Sequence, residues 1–190
     1  MMTAPTIFKF KPVIIKNACS KTYLDMFRHM IPNEELWDNS SSEVDLSNYE
    51  KINLRKLNIT TQGHFDNPLL AGIAIGLMSQ IYDAGGKEYF APQMHFCGLS
   101  IKDKTTPTNF HTDQWGEGRL KVLGLLNSDW DSKTDGGGFI CDGVKYALEP
   151  TDFLIFDSNQ THSNDLIISD KERCAIDFML QATKTAVGQT

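Results

Sequence analysis

Residues Asn109 to Trp115 read NFHTDQW, a histidine and an aspartate two positions apart in an otherwise apolar and aromatic stretch. On a β-strand, side chains two apart point to the same face. Read as a strand, the segment presents the His111 imidazole and the Asp113 carboxylate side by side. Read as a surface turn of mixed polarity, it carries no chemistry. The rest of the chain has to decide between these readings.

Two ligands rarely hold a metal, so a third is needed. His162, in SNQTHSN, follows the apolar run DFLIF and lies 51 residues after His111. That gap fits several intervening strands of a double-stranded barrel. Two histidines and a carboxylate on one side of a metal form the facial triad of non-haem Fe(II) oxygenases, with coordination positions left open. The bare pattern HxD…H is unspecific, because many unrelated chains contain it.

The flanking sequence supports a β framework. From Tyr89 onward, short apolar runs such as RLKVLGLLN, GGFICDG, VKYALEP, DFLIFDS and ERCAIDFML are separated by Gly, Asp, Asn and Pro. Such spacing reads as a sandwich or barrel. The N-terminal half reads differently. TIFKFKPVII suggests a strand broken at Pro12, and Ser20 caps a short helix through Met30. DNSSSEVDLSN, Asp38 to Asn48, reads as a connector. Asn67-Pro68 opens a second helix with Leu70, Ile73, Leu77 and Ile81 on one face, closed by Gly85-Gly86. The expectation is a mainly β protein with N-terminal helices. It is one domain over 1–190, with 1–88 a support region and 89–182 the catalytic β-core.

Composition narrows the class. The 190 residues are 41% hydrophobic and 22% charged, ordinary for a globular protein that builds a core without staples. Eighteen basic against twenty-four acidic residues give a net charge of −6, which argues against a nucleic-acid partner. Cys19, Cys97, Cys141 and Cys174 form no CxxC pair, so a reducing compartment without disulfides or cysteine zinc sites is expected. With no signal-peptide pattern and no membrane-length apolar run, a cytoplasmic protein without a membrane partner is the expectation.

Arg173 lies 11 residues after His162 and begins the apolar run RCAIDFML. It reads as a surface arginine at a strand end, or as a fork for a carboxylate, the far end of 2-oxoglutarate. Here the residues carry a resemblance. HTD, the GR of EGRLKVLGLLN, LNSDWDSKTDGG, EPTDFLIFDS, His162 and Arg173 together resemble the core of Fe(II)/2-oxoglutarate dioxygenases. The likeness is strongest to prolyl 4-hydroxylases of the hypoxia-inducible-factor type, and it covers about a third of the chain.

The resemblance implies a double-stranded β-helix (a cupin-like jelly roll) buttressed by helices. It implies Fe(II) held by His111, Asp113 and His162, and 2-oxoglutarate anchored by Arg173. O₂ is the oxidant and ascorbate a candidate reductant. Arg119 matches an arginine near the substrate entrance and is the candidate catalytic residue. The implied reaction is hydroxylation of a C–H bond, first of a prolyl residue in a peptide or protein, second of a free amino acid or small metabolite. A cupin-like metal-binding module or isomerase without oxygenase activity is the alternative from another class. Asp113 itself favours hydroxylation over halogenation, which needs a small residue there. Met179 stands where nucleic-acid demethylases carry a second arginine.

The chain departs from the pattern at three places, one of them MHFCGLSIKD, which offers no clear match for a tyrosine on the strand before HTD. Leu125 replaces a tyrosine before the Leu-Asn pair, and Asp177 stands where a hydroxyl residue is common. Gln114 and Trp115 are open between substrate contact and packing. Trp130 and Gly136 to Gly138 are assigned to packing and backbone turns, and His95 to strand packing.

Overall fold

Local chemistry starts both helices. A computed structural model describes residues 10–31, 54–106 and 108–183. In α1 (Lys21–Met30) the Ser20 hydroxyl accepts from the Tyr23 backbone N–H at 3.1 Å, and Leu24 and Phe27 are buried. In α2 (Pro68–Asp83) the Asn67 side chain accepts from the Leu70 N–H at 3.1 Å, and Pro68 sits in the first turn, where its missing N–H costs nothing. The buried face of α2 carries Leu70, Ala71, Ala74, Leu77, Met78 and Ile81, with Ile73 at its edge. Gly85, at φ 139°, turns the chain into a 3-10 turn, Gly86–Glu88.

The strands are β1 (Val13–Ile15), β2 (Leu54–Thr61), β3 (His64–Phe65), β4 (Phe90–Lys102), β5 (Arg119–Leu125), β6 (Phe139–Cys141), β7 (Val144–Tyr146), β8 (Phe153–Asp157), β9 (His162–Asn164) and β10 (Arg173–Ala182). They form a seven-stranded sheet in the order β1-β8-β5-β10-β4-β2-β3 and a three-stranded sheet in the order β7-β6-β9. Every pairing is antiparallel among the described residues.

Side-chain alternation gives the large sheet two different faces. Cys97, Leu99, Ile101, Val122, Ile176 and Phe178 pack under both helices. Leu123, Leu125, Leu154, Phe156 and Ala175 face the small sheet and meet Phe139 and Cys141. The chain is therefore mainly β, two sheets face to face, with the helices on the outer side of the larger one.

Three expectations need correction. β2 and β3 come before α2, so strands and helices interleave instead of helices coming first. LRKLNITT hides its strand because its inward positions Lys56 and Asn58 are polar and Leu54 is out of phase with Leu57 and Ile59, so simple apolar alternation is lost; a bulge near Ile59 then shifts its register against β4. Of TIFKFKPVII, only Val13–Ile15 is strand among the described residues. Pro12, without an N–H, precedes the ladder, and positions 6–9 lie outside the described residues, as does the 38–48 connector. NFHTDQW is not a continuous strand. His111 forms an isolated bridge to His162, and Gln114, at φ 54°, bends the chain away beyond Asp113.

Candidate metal centre

His162 is delivered by β9 and is buried. His111 pairs with it from the segment alongside. Asp113 lies just past that bridge, where its backbone N–H donates to the Ser158 carbonyl at 2.9 Å. The three side chains converge, each offering a ligand atom within 4.8 Å of the others. Asp113 Oδ1 lies 3.7 Å from His111 Nε2 and 3.6 Å from His162 Nε2. One ion with bonds of about 2.0–2.2 Å can span such separations.

The ring tautomers follow from their partners. His111 Nδ1 faces the Asn109 carbonyl at 3.1 Å, and His162 Nδ1 faces the Gln160 carbonyl at 2.8 Å. A carbonyl only accepts, so Nδ1 carries the proton in each ring, and in the neutral imidazole a metal binds Nε2 offers the lone pair. His162 Nε2 is buried without a hydrogen-bond partner. Buried polar atoms are seldom left so, and a metal ion would satisfy this one. Two imidazoles and one carboxylate fit divalent iron.

Asp113 is ready to bind in its charged form. Burial opposes ionisation, but the adjacent Lys121 ammonium favours the charged form, and the carboxyl is held well below the usual carboxylate range. Lys121 Nζ lies 2.9 Å from Asp113 Oδ2 and 3.1 Å from Asp177 Oδ2. Asp177 therefore pairs with Lys121.

The three side chains line a cavity of about 200 Å³ that also reaches Arg173, Lys102, Lys56 and Asp177. Arg173 is 1% exposed, and its Nε and Nη2 have no hydrogen-bond partner. Burial pulls its guanidinium down to about 10, with the neighbouring Cys174 and Asp177 opposing. An unsatisfied buried fork of this kind suits a carboxylate. Asn127 sets its position: its side chain accepts from the Cys174 N–H at 2.7 Å and donates to the Glu172 carbonyl at 2.9 Å, bracketing Arg173. Lys102 lies opposite Arg173 in the β4–β10 register. Leu125 is fully buried in the inner core and brings no hydroxyl.

Arg119 shares the Lys121 face of β5 but is not among the residues lining the cavity. It donates to His95 and Gln181. A bulge opposite Met179–Leu180 falls at His95 and lets that ring leave the packed face. Burial, then the Arg119 charge, lower the His95 pKa and keep the ring neutral as an acceptor. Trp115 lines the cavity and meets Phe96 with ring centroids 5.7 Å apart, while Gln114 is exposed. Trp130 is buried and donates to the Gly136 carbonyl at 3.1 Å, as its packing assignment requires.

The sequence reading missed Lys121, Lys102 and Lys56. For Lys121 a signal existed, since RLKVL places it two residues before Leu123 on the inner face. Lys102 and Lys56 need the β4 and β2 registers.

No protein-family model matches the sequence, and no curated protein matches it. Solved structures do. A prolyl-4-hydroxylase from Pseudomonas putida aligns at 14% identity over 92% of this chain and 94% of its own, with a TM-score of 0.60. The fold is that of the 2-oxoglutarate/Fe(II) oxygenases, a double-stranded β-helix. A prolyl hydroxylase from Trichoplax adhaerens, in complex with a hypoxia-inducible-factor peptide, aligns at 18% identity over 94% and 87%, TM-score 0.58. HygX from Streptomyces hygroscopicus, with nickel, 2-oxoglutarate and hygromycin B bound, aligns at 11% over 93% and 84%, TM-score 0.62. Among the described residues no helix is long and apolar enough to cross a membrane.

Proposed function

We propose that this protein is an Fe(II)- and 2-oxoglutarate-dependent dioxygenase that hydroxylates a substrate C–H bond. One observation carries the reading. Two Nε2 lone pairs and a charged carboxylate converge in a cavity that also holds a buried arginine fork without hydrogen-bond partners on Nε and Nη2. His111, Asp113 and His162 would hold the metal, and Arg173 would hold the distal carboxylate of the keto acid. When bound, iron and 2-oxoglutarate supply the oxidising chemistry, with the keto acid decarboxylated to succinate and CO₂ as oxygen enters the substrate.

The chain's own residues bind and orient. The Nδ1–H bonds to Asn109 and Gln160 aim both imidazoles. Asn127 brackets Arg173 through the backbone on either side of it. Trp115 lines the cavity, and Arg119, the candidate catalytic residue by the resemblance, would act at the substrate entrance. A prolyl residue in a peptide or protein is the substrate we assign, supported by the motif series and by the two prolyl hydroxylases of similar fold. The lysines lining the cavity favour a second reading, a free amino acid or other small carboxylate.

Purified protein with Fe(II), O₂ and 2-oxoglutarate should form succinate. Asp113→Ala should not, and retained turnover would sink the site. Metal binding without affinity for 2-oxoglutarate would point to a cupin-like binder. The substrate is then identified by screening prolyl peptides and metabolite pools for a mass gain of one oxygen atom.

A further inference from the structure

We propose that Lys121 is a positioning residue that divides the two oxygens of Asp113, holding Oδ2 away from the metal so that Oδ1 alone is offered to it. The inference rests on the metal-centre reading above. Lys121 Nζ is 2.9 Å from Oδ2, while Oδ1 is the atom that faces both histidine Nε2 atoms. Both side chains are largely buried, Lys121 at 13% exposure and Asp113 at 8%. A charge-assisted bond in such a setting is among the stronger ones.

The architecture explains the device. Asp113 lies outside any regular strand, so its backbone alone does not fix the carboxylate. Lys121 comes from β5, and its second partner, Asp177, from the adjacent β10, both in the large sheet. The chain Asp177–Lys121–Asp113 thus transfers the rigidity of the sheet to a ligand carried by a loop. It also gives Asp177, a carboxylate lining the same cavity, a cationic partner.

The consequence is chemical. A carboxylate that spends one oxygen on an ammonium binds a cation through the other only, which leaves coordination positions open for a bidentate keto acid. The same ammonium repels a nearby dication, so the site holds its metal less tightly than the three ligands alone would.

Cobalt(II) titrations of the full chain, read by the visible spectrum and by calorimetry, test this. Lys121→Met should bind Co(II) about tenfold more tightly, the order expected for losing one charge near a dication. Its spectrum should shift as Oδ2 joins the metal, and the Co(II)-loaded variant should bind 2-oxoglutarate more weakly. Lys121→Arg should restore wild-type affinity and spectrum. A Lys121→Met protein with wild-type or weaker Co(II) affinity overturns the inference. If that variant does not fold, Lys121→Gln carries the test by keeping a donor without the charge. Tighter Co(II) binding with an unshifted spectrum supports the proposal, and unchanged affinity overturns it. Wild-type protein that binds no Co(II) removes the metal-centre reading and this inference with it. Wild-type binding that Lys121 variants leave unaltered removes only the inference.

Discussion

His111 and His162 each donate their backbone N–H to the other's carbonyl at 2.9 Å, and their ring centroids lie 4.4 Å apart. The two rings are thus registered by main-chain bonds before any metal arrives, and the site is organised by the fold. His111→Ala keeps this backbone pair and removes one Nε2. It should weaken Co(II) binding by more than the roughly 10–100-fold typical of losing an outer partner of a ligand, with an unchanged circular dichroism spectrum. Calorimetry checks the affinity, and near-wild-type binding would take His111 out of the ligand set.

Arg173 is the largest of the fully buried side chains, and it carries a charge. Arg173→Ala should weaken 2-oxoglutarate binding by about 1.5–3 kcal/mol, the worth of a hydrogen bond to a charged group, or roughly ten- to a hundredfold. Co(II) affinity should change far less than 2-oxoglutarate affinity, since Arg173 is not one of the three candidate ligands. Arg173→Met should melt at a higher temperature than wild type without ligand, because an uncompensated buried cation costs stability. Calorimetry and thermal melts in parallel separate the two effects.

Gly137 adopts φ 63°, and a Cβ there would lie 3.0 Å from both the Arg173 Cδ and the Trp130 ring. Gly137→Ala should therefore cost stability through backbone strain, about 1–3 kcal/mol. It should also raise the 2-oxoglutarate KM by displacing the guanidinium. Urea melts and succinate assays read the two losses. Gly143→Ala, also at positive φ but with open space around it, should show the first and not the second.

Asp157 offers a pH test away from the metal centre. Burial lifts its carboxyl, the negative charges of Asp142 and Glu117 add to the lift, and hydrogen bonds from Asn159 oppose it. With the folded value above the unfolded one of about 3.9, the folded state binds more protons in between. Stability then falls as pH rises through that window and stays lower above it. Asp157→Asn should remove this loss and melt higher than wild type at neutral pH. Melting temperatures measured from acid to neutral pH check the slope.

How much of this was legible beforehand follows from range. Both helix starts were readable, because Ser20 and Asn67 act on N–H groups three residues away. The series from His111 to Arg173 was readable as a pattern, and the fold brings His111, Asp113, His162 and Arg173, but not Arg119, to one cavity. β2 was not, because its cavity-facing positions Lys56 and Asn58 are polar and Leu54 is out of phase with Leu57 and Ile59, which breaks the alternation by which a strand is recognised. The strand proposed for NFHTDQW was half right. The pairing stops at His111, and the positive φ of Gln114 cannot be read from residue types, since glutamine seldom adopts it.

The amino-acid sequence by itself determined the local and periodic features: the caps, the apolar alternation of most strands, and a spaced set of histidine, carboxylate and arginine. These are set by neighbours a few residues apart. Only the tertiary structure decided which groups are satisfied and which are not. Lys121 meets Asp113 and Asp177 through the register of β5 against β10, Lys102 stands opposite Arg173 through β4, and Arg119 turns to His95 at a bulge. A side chain's partner depends on where distant strands stop and slip, and those offsets arise from the packing of the whole sheet.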